Sequence, residues 1–492
     1  MLVDGIGSVA RGLAARTLLP SEICAASLQR IKQTEELNAY ITVVEEKARL
    51  RARQGDKRCE SGKILPLDGV TIAVKDNFCT AGVRTTCASK MLEDFVPRYT
   101  ATVIQRLERS GAIVIGKTNM DEFAMGAGAT DSRFGPSKNP WRYERAGESI
   151  AGDFYITGGS SGGSAVAVAS GTCFGAVGSD TGGSVRNPSA RCGVFALKPS
   201  YGALSRHGLI PLTHSLDVPG LIGLTIDDLA LMFSICAGVD PLDSTTIRTN
   251  FSGLKLHDEP ALNGLRVGIP QEYHCPGMQD EVIKLWTDVA DLLEKLGCEV
   301  VAVSLPHTQY SLQCYSVLNC CDVASNLACY DGLEFGCRTE SMESTEDLFA
   351  ETRLKGFSDV VRGRILSGNF FLLKGNYDKF FRQAMRLRRL IYSDFETVFR
   401  NVDLLLAPVT LTEAILYSEW SKKDNRTRAT LEDYCTQPAN LAGLPALSLP
   451  CRLSRNGLPL GLQLIGPALS EARLMNTGKR IELEMDFQHS CK

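Results

Sequence analysis

Along the chain, short apolar runs alternate with stretches whose apolar positions recur every three or four residues, a pattern that predicts an α/β fold. Val70 to Val74 predicts a strand, Ala101 to Ser110 a helix closed by Gly111, and Ala112 to Gly116 the next strand. The scheme repeats in the middle of the chain. Val267 to Pro270 ends a strand; Val282, Trp286, Val289, Leu293 and Leu296 mark one face of a helix stopped by Gly297; and Glu299 to Val303 is a strand again. A longer helix is expected over Tyr377 to Phe399, where Phe381, Met385, Ile391, Phe395 and Phe399 interleave with Lys379, Arg382, Arg386 and Arg389 as a solvated face. Val402 to Leu406, apolar apart from Asp403, is expected as a strand of the kind buried in a parallel sheet.

The uncharged stretch Ala165 to Gly178 is too short to cross a bilayer and is interrupted by glycines, so it reads as a buried element. Near the start, Leu19-Pro20-Ser21-Glu22 looks like a turn into a helix carrying Ile23, Leu28 and Ile31. Arg11 and Arg16 against Asp4 only faintly suggest an organelle presequence, and a long removable leader is not expected. No linker-like segment divides the chain.

Composition narrows the functional classes. The 492 residues are 44% hydrophobic and 22% charged, which suits a packed globular protein, and the formal charge of -3 gives no broad basic surface for gripping DNA or RNA. The 17 cysteines are odd in number, form no CxxC pair and fall mostly in apolar stretches, so they read as reduced thiols. Cys314, Cys320, Cys321, Cys329 and Cys337 lie close together without metal-ligand spacing, and no metal site is expected.

Two serine-bearing glycine clusters carry the candidate chemistry: Gly158 to Ser164, and Gly178 to Ser184 followed by Val185-Arg186. Gly/Ser tracts are often linkers. This one runs straight into the apolar Ala165 to Ala169, where a tight glycine turn before a buried element lets backbone amides converge as an oxyanion hole. Thr181, Gly182, Gly183 and Ser184 are the candidate donors. Neither cluster has the spacing of a phosphate-binding loop. Upstream, Lys75 sits in the apolar run Ile72-Ala73-Val74-Lys75-Asp76-Asn77, where burial would keep it neutral enough to serve as a base for a serine. His207 and His214, with Asp217 nearby, offer a Ser-His-Asp alternative, but no G-x-S-x-G elbow precedes them; they read as structural or substrate-channel residues.

These residues resemble the amidase signature family, whose catalytic group is a serine, a second serine joined through a cis peptide, and a lysine. Ser160 and Ser184 are 24 residues apart, the family's spacing, and Lys75 lies in its Val-Lys-Asp setting. The likeness runs from Leu67-Asp68-Gly69 through Gly116-Lys117-Thr118-Asn119 and Asn139-Pro140-Trp141 to Gly461 to Gly466. It implies one domain over 1–492 built on a large mixed β-sheet flanked on both faces by helices. Within it, 1–65 would be an N-terminal helical segment, 66–225 the catalytic core, 226–400 an insertion forming part of the substrate site, and 401–492 the end of the core.

A narrower set of blocks resembles the glutamine-hydrolysing members that serve tRNA-dependent amidotransferases, particularly those of animal mitochondria: Lys117 to Gly126, Lys198 to Gly202, Ser205 to Gly208, Ser325-Asn326-Leu327 with Tyr330-Asp331-Gly332, and Pro438 to Pro445. This resemblance implies that Ser184 is the nucleophile, Ser160 the proton relay and Lys75 the base. It also implies that Arg364 binds the α-carboxylate of glutamine, Asp433 its ammonium, and that Tyr315 closes the pocket. It further implies a mitochondrial matrix location and B and C partner subunits. No cofactor is expected in this chain; the B subunit would use ATP and Mg²⁺ and hold most of the tRNA(Gln), with neither DNA nor membrane involved. Two other readings are a stand-alone amidase of small, aryl or fatty amides, needing neither Arg364 nor Asp433, and a non-catalytic scaffold, against which the intact Lys75, Ser160 and Ser184 argue. The stretch 142–156, with Glu144, Arg145, Glu148 and Asp153, is expected as a solvated loop, and Arg480 to Lys492 is assigned no structure.

Overall fold

A computed structural model of the chain describes residues 5–143, 152–249, 251, 254–340 and 344–489. Eleven strands form one mixed sheet: β1 (Tyr40–Val43), β2 (Thr71–Lys75), β3 (Ile113–Thr118), β4 (Gly175–Asp180), β5 (Phe195–Lys198), β6 (Val218–Gly223), β7 (Arg266–Pro270), β8 (Glu299–Val303), β9 (Leu404–Pro408), β10 (Ala446–Leu453) and β11 (Pro459–Ile465). Their order across the sheet is β1-β3-β2-β4-β6-β5-β10-β11-β9-β7-β8. β2 runs parallel to β3 and β4, as β7 does to β8 and β9, while β6, β5, β10 and β11 join these groups through antiparallel pairs.

Strand alternation explains how both faces are covered, because successive side chains leave a strand on opposite sides. Ile72 and Val74 of β2, Val114 of β3, Val177 of β4 and Leu221 of β6 enter one core, with the helices Gly5–Ala14, Thr102–Arg109, Ile226–Cys236, Asp280–Lys295 and Glu471–Met485. Ala73, Ile113, Ile115, Ala176 and Ile222 enter the other, with helices Pro20–Gln33, Glu45–Glu60 and Gly162–Ala169. The sheet is thus sandwiched between helical layers. Lys75, two residues after Ala73, shares the second face, that of the helix following the first glycine cluster.

Most sequence expectations coincide with observed elements within a residue or two. The C-terminal expectation differs: the helix Glu471–Met485 runs well into the segment assigned no structure, and Phe487 beyond it meets the Trp141 ring at 5.9 Å. The helix expected over Tyr377 to Phe399 is regular only from Phe381 to Val398, because Tyr377 to Phe380 form turns after Leu373 and the rings of Phe371 and Phe380 pack at 5.0 Å. Ala165 to Gly178 divides into the end of a helix and the start of β4. Glu144, Arg145 and Glu148 lie outside the described residues; Asp153 accepts the amide of Ser418 at 3.2 Å. Among the described residues no helix is long and apolar enough to cross a membrane. Cysteines such as Cys173, Cys192 and Cys236 are buried free thiols, whose pKa values burial raises.

Candidate active site

β2 and β4 are neighbouring parallel strands that end at Lys75 and Asp180, at the strand ends where open α/β sheets place their chemistry. The two glycine clusters meet there. Ser161 N donates to Ser184 O at 3.1 Å, tying one turn to the other, and the Gly159–Ser160 peptide is cis. Glycine is required at 159 by crowding alone: a Cβ there would lie 2.3 Å from Asp121 Oδ2 and 2.6 Å from the Ala129 amide nitrogen.

Lys75 is wholly buried. Its Nζ lies 2.7 Å from Ser160 Oγ, 3.0 Å from Ser179 Oγ and 3.3 Å from Ser179 O. Burial brings the ammonium down to about 7, against the opposing pull of Asp121, Asp180 and Asp217. Asn77 Nδ2 donates to the same Ser179 hydroxyl at 2.9 Å. Ser160 is buried like Lys75, whereas Ser184 is partly exposed. The cluster therefore opens outward only at Ser184.

The turn that presents Ser184 is organised by one carboxylate. Asp180 accepts the amides of Gly183 at 2.9 Å and Val185 at 3.1 Å, and binds Arg186 through Nε at 3.1 Å and Nη2 at 3.0 Å. Although burial alone would raise its pKa, the Arg186 guanidinium holds this carboxyl well below the usual range. Asn440 Nδ2 donates to Asp180 Oδ1 at 2.9 Å and Arg186 Nη1 to Gln463 Oε1 at 2.9 Å, which explains why two distant late blocks accompany the serines in sequence. Gly183 differs from the oxyanion expectation, since the turn folds its amide back onto Asp180. The amides of Thr181, Gly182 and Ser184 have no acceptor among the described residues.

Tyr315, Arg364 and Asp433 arrive from three separate helices, Ser311–Asn326, Asp359–Leu372 and Asn425–Asp433. Tyr315 covers the turn: a Cβ on Gly182 would lie 3.0 Å from its hydroxyl. Arg364 and Asp433 are both close enough to Tyr315 to perturb it. Asp433 is pushed well above the carboxylate range, by burial first and then by Glu432 and Asp180, with Arg364 and Arg186 opposing. A cationic group placed beside it would return it to the ionised form. Thr436 Oγ1, just beyond, donates to Gly182 O at 2.6 Å.

The histidines are not joined to the serines. His214 is exposed, the His207 ring lies tilted against that of Tyr99 with centroids 5.4 Å apart, and Asp217 is held by Thr181 Oγ1 at 2.7 Å and by the amides of Leu212 and Thr213 at 2.8 and 2.9 Å. Both histidines do line a cavity of about 200 Å³ whose wall includes Asp217 and Arg206. Sequence reasoning missed Ser179, Asp180 and Asn319. The first two lie inside the second glycine cluster, and Asn319 follows Tyr315 by one helical turn, Arg364 Nη1 donating to its Oδ1 at 2.9 Å.

Residues 22–475 match the model of the amidase family. The A subunit of the mitochondrial glutamyl-tRNA(Gln) amidotransferase of Ixodes scapularis is 60% identical over 96% of this chain and 94% of its own length. That of Xenopus tropicalis is 52% identical over 99% and 95%. Among solved structures, the A subunit of the glutamyl-tRNA(Gln) amidotransferase of Thermotoga maritima superposes with a TM-score of 0.77 at 34% identity, covering 96% of this chain and 93% of that one.

Proposed function

The chain belongs to the amidase family, and from that premise we propose that it is the glutamine-hydrolysing subunit of a mitochondrial tRNA-dependent amidotransferase. It releases ammonia from glutamine for the conversion of Glu-tRNA(Gln) to Gln-tRNA(Gln). The observation that carries the chemistry is Lys75 Nζ at 2.7 Å from Ser160 Oγ, with burial bringing the lysine to about 7. A lysine so tuned is a base at physiological pH.

Ser184 Oγ attacks the side-chain amide carbon of glutamine while its proton passes to Ser160 and that of Ser160 to neutral Lys75. The tetrahedral oxyanion faces the amides of Thr181, Gly182 and Ser184, each donor worth about 3 kcal/mol in such a site. Collapse breaks the carbon–nitrogen bond as Lys75 returns its proton through Ser160 to the departing nitrogen, and ammonia leaves. Water then attacks the glutamyl ester, giving up a proton along the same route, and glutamate departs with Ser184 restored.

Arg364 pairs with the α-carboxylate, Asp433 with the α-ammonium, and Tyr315 covers the side chain. Polar handles of this kind discriminate far better than an apolar wall. They also favour glutamine over the aryl or fatty amides of a stand-alone amidase. The chain is one component of a larger enzyme; its partners in this reading are a B subunit, which binds ATP and Mg²⁺ and most of the tRNA, and a small C subunit. A net charge of -3 fits an ammonia donor that leaves the nucleic acid to its partner. Ser184→Ala in the assembled complex is expected to abolish glutamine-dependent amidation of Glu-tRNA(Gln) while preserving amidation from added ammonium. Retained glutamine hydrolysis by that variant would dismiss Ser184 as nucleophile.

A further inference from the structure

We propose that Asn319 is the positioning residue that sets the glutamine pocket, holding Arg364 and Tyr315 in register with the turn that bears Ser184. The inference rests on reading those two residues as the groups that grip glutamine. Asn319 is only 1% exposed, and three of its polar valences are engaged. Its Oδ1 accepts from Arg364 Nη1 at 2.9 Å, while Nδ2 donates to Thr213 Oγ1 at 2.8 Å and to the Tyr315 hydroxyl at 3.4 Å.

Each partner leads elsewhere. Tyr315 lies against Gly182, and the Thr213 amide is anchored by Asp217, which receives the Thr181 hydroxyl. A hydrogen-bonded string thus runs from Arg364 through Asn319, Thr213 and Asp217 to Thr181. The Arg364 side chain makes no other hydrogen bond among the described residues, so its remaining donors are available for a carboxylate. Only a primary amide serves both ends, because its oxygen receives the guanidinium while its two N–H groups serve the two hydroxyls. An aspartate would lose the donors; a leucine of similar size would lose everything.

The test compares two substrates on the chain assembled with its partner subunits: glutamine, and 4-aminobutanamide, which is glutamine without its α-carboxylate. For Asn319→Leu the expected result is a rise in KM for glutamine of roughly tenfold or more, with little change for 4-aminobutanamide, as for a lost hydrogen bond to a charged group. The preference for glutamine therefore collapses. A parallel fall for both substrates, or no change in preference, overturns the proposal. Thr213→Val keeps the Arg364 contact but cuts the string; it is expected to lower kcat for both substrates while preserving the preference, and provides the measurement if Asn319→Leu does not fold. Unchanged kcat in Thr213→Val, or a lost preference there, also counts against the proposal. Arg364→Ala separates the two readings: if its preference is intact, the glutamine pocket itself is misassigned; if it loses preference while Asn319→Leu does not, only the role of Asn319 fails.

Discussion

Raising the pH from 6 to 10 titrates the base directly and tests its tuning. With the lysine at about 7, the neutral fraction of Lys75 is ~10% at pH 6 and ~90% at pH 8, whereas an ordinary lysine near 10.5 would be ~0.003% and ~0.3% neutral at those values. Burial is the main cause, and Asp121, Asp180 and Asp217 work against it. The sign follows from the role: a base acts in its deprotonated form, so kcat rises with pH through the lysine's own value and then levels. The expected gain is about tenfold between pH 6 and 8, with a plateau above. The tuned lysine supplies about 300 times more active enzyme at pH 8 than an untuned one would. The assay is glutamate release at saturating glutamine in the assembled complex, with stability checked across the range. A kcat still climbing tenfold per pH unit between 8 and 9.5 would refute the argument that burial tunes Lys75.

Two further perturbations address the supports of the site. Arg191 and Glu432 form a fully buried pair next to Asp433, with Asn187 Nδ2 also donating to Glu432 at 2.8 Å; Arg191→Met strands that carboxylate and is expected to cost about 3–5 kcal/mol in denaturant unfolding, a loss under 1 kcal/mol contradicting it. Gly159→Ala forces a methyl into the Asp121 carboxylate and the Ala129 amide, where backbone cannot yield. It is expected to lower glutamine hydrolysis at least a hundredfold even where the chain stays folded by circular dichroism, and near-normal turnover would contradict the crowding argument.

Much of this arrangement was legible in the sequence because it is local. The unbroken apolar run Ile72 to Val74 and the leucines Leu404 to Leu406 report strands buried on both faces, and the glycines around Ser160 and Ser184 report turns too crowded for a Cβ. What eluded the sequence is long-range. Asn319 lies 45 residues from Arg364, and Asp180 gathers Asn440 from the opposite end of the chain, pairings that no periodicity encodes. The use of the Gly183 amide by Asp180 was hidden for a related reason, since a glycine-rich turn advertises free amides without saying which are already taken. The expected Tyr377 helix starts late, at Phe381, because the packing of Phe371 on Phe380 holds the preceding residues in turns, a contact that helical phase does not report.

Burial falls off in one direction only, from Lys75 and Ser160, which are closed to solvent, to Ser184, which is not. The acid–base groups therefore form a cul-de-sac: a hydrogen ion taken from the reacting serine has no rear exit to bulk water. It must come back through the same two hydroxyls and depart on the product. Each ammonia molecule thus clears the lysine behind it as it leaves, so release of nitrogen and resetting of the base are one event.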